Sequence, residues 1–207
     1  MISKQITKFI KNYKINIVIK ILIISDFLIW SANQLFAPIF AIFITNDLYN
    51  GNIEVVGFSA GIYLFSKAIL EIPIGIIVDK RKGELDDLYF AFFGTLLSGV
   101  VIFLFNFITT VNQLYVLQGI MGISAAIAFP GWYSIFTKHI DKNKEAFEWS
   151  LYDVLLAIGM AITSALGGIV AQKFGFSIIF TISSLSTIIG AFLLLLIKDK
   201  LFLNKKF

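Results

Sequence analysis

The chain has 207 residues, of which 58% are apolar and 14% charged, with a formal net charge of +4 and a mean hydropathy of +0.88. Soluble domains average about 45–50% apolar and about 25% charged residues, so too little polar surface remains here to cover a water-soluble core, and the composition is that of a membrane protein. The lack of cysteine excludes disulfides, zinc–thiolate clusters, iron–sulfur centres and thiol catalysis. A single histidine, His139, leaves little basis for a metal site.

At about 20 apolar residues per crossing, six segments fit the chain, near residues 17–44, 53–78, 88–108, 111–137, 150–172 and 176–197. Their length, and the lack of ten-residue alternating patterns, makes them helices rather than barrel strands. Span one is longer than one crossing requires and is expected to tilt or to extend beyond the bilayer. No small-x-small cleavage site follows its apolar run, so it reads as an uncleaved first span and not a signal peptide. Spans three and six carry no charge and are apolar on all sides, the pattern of helices that face lipid. Spans one, two and five carry ionisable residues and are expected to face protein. Short loops and the lack of a linker make residues 1–207 one six-helix bundle with short terminal tails.

The loops set the orientation. Lys4, Lys8, Lys11, Lys14 and Lys20 precede or open span one; Lys80, Arg81 and Lys82 follow span two; Lys138, Lys142 and Lys144 follow span four; Lys198, Lys200, Lys205 and Lys206 follow span six. These are 15 of the 17 basic residues, all on one side. The opposite loops hold Asp47, Glu54 and Lys173. By the positive-inside rule both termini are cytoplasmic, which suits the plasma membrane, the inner membrane in a bacterium. The basic charge then needs no nucleic-acid partner.

Pro38 opens PIFAIFIT and Pro130 opens PGWYSIFT, 92 positions later. Gly75 opens GIIVDKRKG and Gly168 opens GIVAQKFG, 93 positions later. Three spans separate the copies, so the second crosses the membrane in the opposite sense. The chain reads as two inverted three-helix repeats, about 17–108 and about 111–197, an arrangement found in secondary transporters. Proline and glycine each impose a backbone geometry, so their agreement weighs against chance similarity of isoleucine-rich sequence.

The segment Gly75-Ile-Ile-Val-Asp79-Lys80-Arg81-Lys82-Gly83 resembles the signature loop of the major facilitator superfamily, which reads Gly, three residues, Asp, a basic residue, then Gly and further bases between helices two and three. Gly75, Asp79 and Lys80 match in place, and the second glycine is displaced by one position to Gly83. In span four, Gln118 and Gly119 match the family's Arg-x-x-Gln-Gly pattern, with Tyr115 where many proton-coupled members carry arginine. Gly159, Thr163 and Gly167 form a small-residue stripe on span five, followed by Gly168, but the proline of the antiporters' glycine-rich helix is absent; close helix packing accounts for the stripe. The resemblance implies an all-α half-bundle of the usual twelve-helix transporter. It also implies a salt-bridge latch on the cytoplasmic face. The segment from His139 to Trp149 reads first as a solvated loop of paired charges; the alternative is a second part of the latch, in which Glu148 or Asp153 would meet Arg81.

Asp26, Lys67 and Glu71 sit at bilayer depth. Each costs about 2.5–3.5 kcal/mol at a helix centre, so each requires protein or water around it. At 1.5 Å rise per residue, Glu71 lies about 12 Å and Lys67 about 18 Å above Asp79, and Asp26 lies about 13 Å into span one. The three are expected at one level, with Lys67 and Glu71 on one face at i, i+4. Asp26, Trp30, Asn33 and Gln34 share a face of span one; Ser59, Tyr63, Lys67 and Glu71 share one on span two; Tyr115 heads a third on span four. One lysine against two carboxylates leaves one acid unmatched, a candidate proton carrier.

No phosphate-binding loop, serine–histidine pair or metal cluster is present in the sequence, so an enzyme is not expected, nor a cofactor. The expected function is alternating-access transport of a small solute by a half-transporter. Its expected partners are the lipid bilayer and a second six-helix bundle, supplied by a parallel homodimer or a second half. The alternative is a non-transporting membrane scaffold or a truncated fragment of a longer transporter.

Overall fold

Spans one to five begin where the sequence offers the first free N–H groups a partner or an opposite charge. Asn16 Oδ1 accepts from the Val18 amide at 2.9 Å and Asn52 Oδ1 from the Val55 amide at 2.9 Å. Thr110 and Gln113 form a reciprocal capping box at span four. Spans three and five begin on Glu84 and Glu145, several residues before their apolar runs, because their first turns are acidic and favour the positive end of the helix dipole.

The computed structural model describes residues 15–81 and 83–203. Lys4, Lys8, Lys11, Lys14, Lys82, Lys205 and Lys206 lie outside the described residues. Among the described residues, six helical segments are long and apolar enough to cross a membrane: Ile17–Asp47, Ile53–Lys80, Glu84–Leu104, Val111–His139, Glu145–Phe174 and Phe176–Leu201. Span one is interrupted. Its helix ends at Gln34, a 3-10 turn spans Ala37–Ile39, and a second helix runs Phe40–Asp47. Pro38 in that turn has no amide to donate, which accounts for the break.

The inverted repeat is present in three dimensions. Ile53 and Glu145 open spans two and five, and Glu84 and Phe176 open spans three and six, each pair 92 positions apart. Exchanging one for four, two for five and three for six maps the packing onto itself. Span four lies against spans two and three; span one lies against spans five and six; spans three and six lie against each other. Gly75 faces Pro130 with 4.0 Å to an ideal Cβ. In the other repeat, span five touches the turn that carries Pro38, and Gly167 packs on the Leu35 carbonyl just before it.

Spans three and six differ from the lipid-facing reading. Close to half of each is buried, whereas little of spans two and five is. Their uniform apolarity hides a division by size. Gly94, Gly99, Ser184 and Gly190 approach neighbouring backbones, with the Ser184 hydroxyl donating to the Gly99 carbonyl at 2.8 Å and the Ser25 hydroxyl to the Gly190 carbonyl at 2.8 Å. Phe93, Phe103, Leu185 and Ile189 cover their outer sides. Small residues allow the close backbone approach on which membrane helices rely, since lipid is as apolar as leucine.

Candidate functional site

A cavity of about 370 Å³ lies among spans one to four. Span one contributes Asp26, Trp30 and Asn33; span two Tyr63; span three Thr95 and Ser98; span four Gln118, Phe129 and Trp132. The rest of the wall is aromatic and aliphatic, including Ile29, Phe36, Phe40 and Phe105.

Asp26 is 93% buried. Its carboxylate accepts from the Tyr152 hydroxyl of span five at 2.8 Å, and Trp30 is the second side chain that bonds to it. Tyr152 is held by an aromatic cluster with Trp132, Phe136 and Trp149, ring centroids 5.2, 5.6 and 5.8 Å away. Lys67 does not join Asp26. Its ammonium lies 3.8 Å from Glu71 and 4.2 Å above the centre of the Phe129 ring, which stacks on Trp30 at 6.2 Å. Two aromatic rings thus separate the matched pair from the unmatched acid. Two further polar groups at the cavity lack a partner among the described residues: Asn33 Oδ1 and the Trp132 indole N–H.

Of the sequence-predicted pathway residues, Asp26, Trp30, Asn33 and Tyr63 line this cavity, and Lys67 and Glu71 adjoin it through Phe129. Gln34 is not among the lining residues, and Tyr115 packs against the apolar cluster of Phe36, Ile44, Phe105 and Phe180. Sequence reasoning missed Tyr152, Phe129 and Trp132. Their faces read as ordinary core aromatics, and nothing in the spacing marks Tyr152 as the partner of a residue 126 positions away.

The signature-loop residues gather at the basic end of the bundle. Gly75 and Asp79 line a groove with Pro130, Tyr133 and Lys138. Asp79 and Lys80 are exposed there, and Gly83 precedes span three as its cap. Arg81 Nη1 is 3.9 Å from Asp86, and its guanidinium lies 5.9 Å from the Phe90 ring. Asp86, not Glu148 or Asp153, is therefore the acid paired with Arg81 in this conformation. Asp153 is exposed on span five. Glu148 is fully buried and accepts from the Asp141 amide at 3.4 Å. The segment from His139 is accordingly not a solvated loop throughout. His139 is buried too, its Nδ1 3.0 Å from the Ile135 carbonyl oxygen and its Nε2 3.6 Å from Glu84.

A pair without any sequence signal ties spans three and four together. Asp87, 99% buried, accepts from Lys138 at 2.8 Å and from the Ser134 hydroxyl at 2.7 Å. The small-residue stripes act as packing faces. Gly159 sits against Phe27 and Ser31 of span one, and Thr163 donates to the Gly159 carbonyl at 3.0 Å. Gly119 and Gly122 sit against Ile62, Tyr63 and Ser66 of span two.

The sequence matches the family model of the Major Facilitator Superfamily over residues 22–206. The chain belongs to that superfamily. It is also 24% identical over 169 residues to a protein of Methanocaldococcus jannaschii described as an uncharacterized MFS-type transporter. The match covers 82% of this chain and 42% of that relative, so the chain spans less than half of the relative's length. The major facilitator assignment fits the inverted three-helix repeats.

Proposed function

We propose that the chain moves a small solute across the plasma membrane by alternating access, as one of two six-helix bundles that enclose the substrate between them. The observation that carries this reading is the cavity beside Asp26, a buried carboxylate with no cation partner among the described residues. A buried acid in a membrane span is costly, and its presence there points to function. Within this reading Asp26 carries the coupled proton, Trp30, Asn33 and Tyr63 contact solute, and Lys67 and Glu71 brace the wall. The loop from Gly75 to Gly83 opens and closes the cytoplasmic face. The termini are cytoplasmic, following the positive-inside bias. No step of this work requires bond-making on the solute, so the protein acts as a transporter and not an enzyme.

The second bundle is a parallel copy of this chain or a second half of the same kind. Spans two and five are the least buried of the six and expose Phe58, Phe65, Ile72, Ile158 and Ile162, a surface suited to a partner bundle. A parallel pair follows from the strong charge bias, because every copy inserts the same way round. Proteoliposome uptake across a compound panel, with and without a pH gradient, tests the reading. Gradient-driven accumulation of one solute class is the expected result. Purified protein that accumulates no solute in sealed vesicles, under either gradient polarity, overturns it.

A further inference from the structure

Resting on the transport reading of this cavity, we infer that its substrate is a lipophilic organic cation, which competes with a proton for the Asp26 carboxylate. Three observations carry the inference. First, charge: Lys67 is matched by Glu71 at 3.8 Å, which leaves Asp26 as the unmatched charge beside the cavity and gives the site a net negative sign. An anion would face that carboxylate with no free cation among the described lining residues to receive it. Second, the wall: Trp30, Phe36, Phe40, Phe129 and Trp132 offer π-faces, and one of them already holds a cation, the Lys67 ammonium 4.2 Å above Phe129. A desolvated cation–π contact contributes about 2 kcal/mol. A sugar or other polyol would meet a wall that is mostly aromatic and aliphatic, with Ser98 already bonded to Ser124 at 2.8 Å. Third, an orphan donor: Trp132 is 95% buried, lines the cavity and keeps an indole N–H without a partner among the described residues. The preferred cation therefore also carries a hydrogen-bond acceptor.

The chemistry balances at one group. A protonated Asp26 releases its proton as the cation enters, and regains one as the cation leaves. The titratable groups facing Asp26 are Tyr152 of span five and Tyr133 of span four. On span two, Lys67 and Glu71 hold each other; the apolar run of span three carries Tyr89, which does not line the cavity, and that of span six carries no titratable side chain. Occupancy by proton or cation is thus decided at Asp26.

Purified protein in lipid nanodiscs, titrated calorimetrically, tests this with three probes of similar size: benzyltrimethylammonium, the neutral N,N-dimethylbenzamide and the anion benzenesulfonate. The cation should bind at least about tenfold more tightly than either of the others, a difference of about 1.4 kcal/mol. Its affinity should rise with pH, and binding should release protons into a weak buffer. Asp26→Asn should lose the cation preference and the proton release while remaining folded and monodisperse. Should that variant fail to fold, the pH dependence and proton release of the wild type decide the matter. Equal affinities, a preference for the anion, or cation binding without proton release overturns the inference. The two readings fail separately. Uptake of a neutral or anionic solute, with no cation preference, overturns the cation class and leaves transport standing. Cation binding with these signatures but no flux in proteoliposomes overturns transport and leaves the cation site.

Discussion

The Tyr152 hydroxyl donates to the Asp26 carboxylate over 2.8 Å and thereby joins the first repeat to the second beside the cavity. A hydrogen bond to a charged group contributes about 1.5–3 kcal/mol, and the aromatic cluster around Tyr152 fixes where its hydroxyl lies. Tyr152→Phe removes one oxygen and leaves the ring packing intact. The melting temperature should fall by an amount matching that range, and coupled accumulation should weaken. Asp26→Asn should instead abolish accumulation while sparing exchange between two equal solute pools. Vesicle assays of both variants check this; full accumulation by Asp26→Asn would reject the proton role.

The ion pair between Lys67 and Glu71 makes a prediction that its distance from Asp26 sharpens. Lys67→Ala leaves one partly buried carboxylate unmatched, Glu71, and should lower the yield of folded protein. Removing Glu71 as well should restore much of that yield. A double-mutant cycle on thermal stability reads the coupling directly. Additive losses would mean that the pair is not a unit.

At the basic end, the two members of the Asp87–Lys138 pair are buried unequally, 1% against 49% side-chain exposure. Lys138→Ala strands a buried carboxylate with Ser134 as its remaining donor, so its cost should approach the about 3–5 kcal/mol of a broken buried pair. Asp87→Asn leaves a lysine that water can solvate and should cost less. Thermal unfolding in mild detergent gives the order, and the reverse order would refute the assignment.

Glycine positions separate packing from composition. A methyl at Gly131 would run into the Asp87 carbonyl, so Gly131→Ala should destabilise by about 1–3 kcal/mol. Gly61 has open space around it within 4 Å. Gly61→Ala should be neutral or stabilise by about 0.5–1 kcal/mol through helix propensity. Melting temperatures of the two variants should therefore move in opposite directions or, at the least, differ clearly.

Because the chain lacks cysteine, single cysteines report topology against a clean background. Positions Asn50 and Asn112 should react with an impermeant thiol reagent in intact cells. Positions Lys80 and Lys144 should react only after permeabilisation. The opposite labelling pattern would invert the orientation.

Much of the architecture was legible in the residues themselves. Six apolar runs of membrane length can be satisfied only as helices, because a lipid environment leaves backbone polar groups no other partner. The proline and glycine offsets carried the inverted repeat, since proline fixes φ and glycine admits a close backbone approach. The unmatched acid was also legible, from one lysine against two carboxylates at similar depth. Hydropathy misjudged spans three and six, however, because it weighs polarity and cannot register that glycine and serine on one face let two backbones meet.

Which acid stayed unmatched, and what held it, was settled only by the packing of the helices. Sequence spacing placed Lys67, Glu71 and Asp26 at one level; the fold gave Lys67 to Glu71, set Phe129 and Trp30 between that pair and Asp26, and brought Tyr152 to the carboxylate. The same holds at the basic end, where Asp87 and Lys138 meet across 51 positions and Arg81 turns to Asp86. Local sequence determines a helix and its faces because backbone bonds and i, i+4 neighbours are short-range. The partner of a buried charge lies on another helix, and its choice depends on the rotation and depth of that helix, which the small-residue contacts fix only when the whole bundle has assembled.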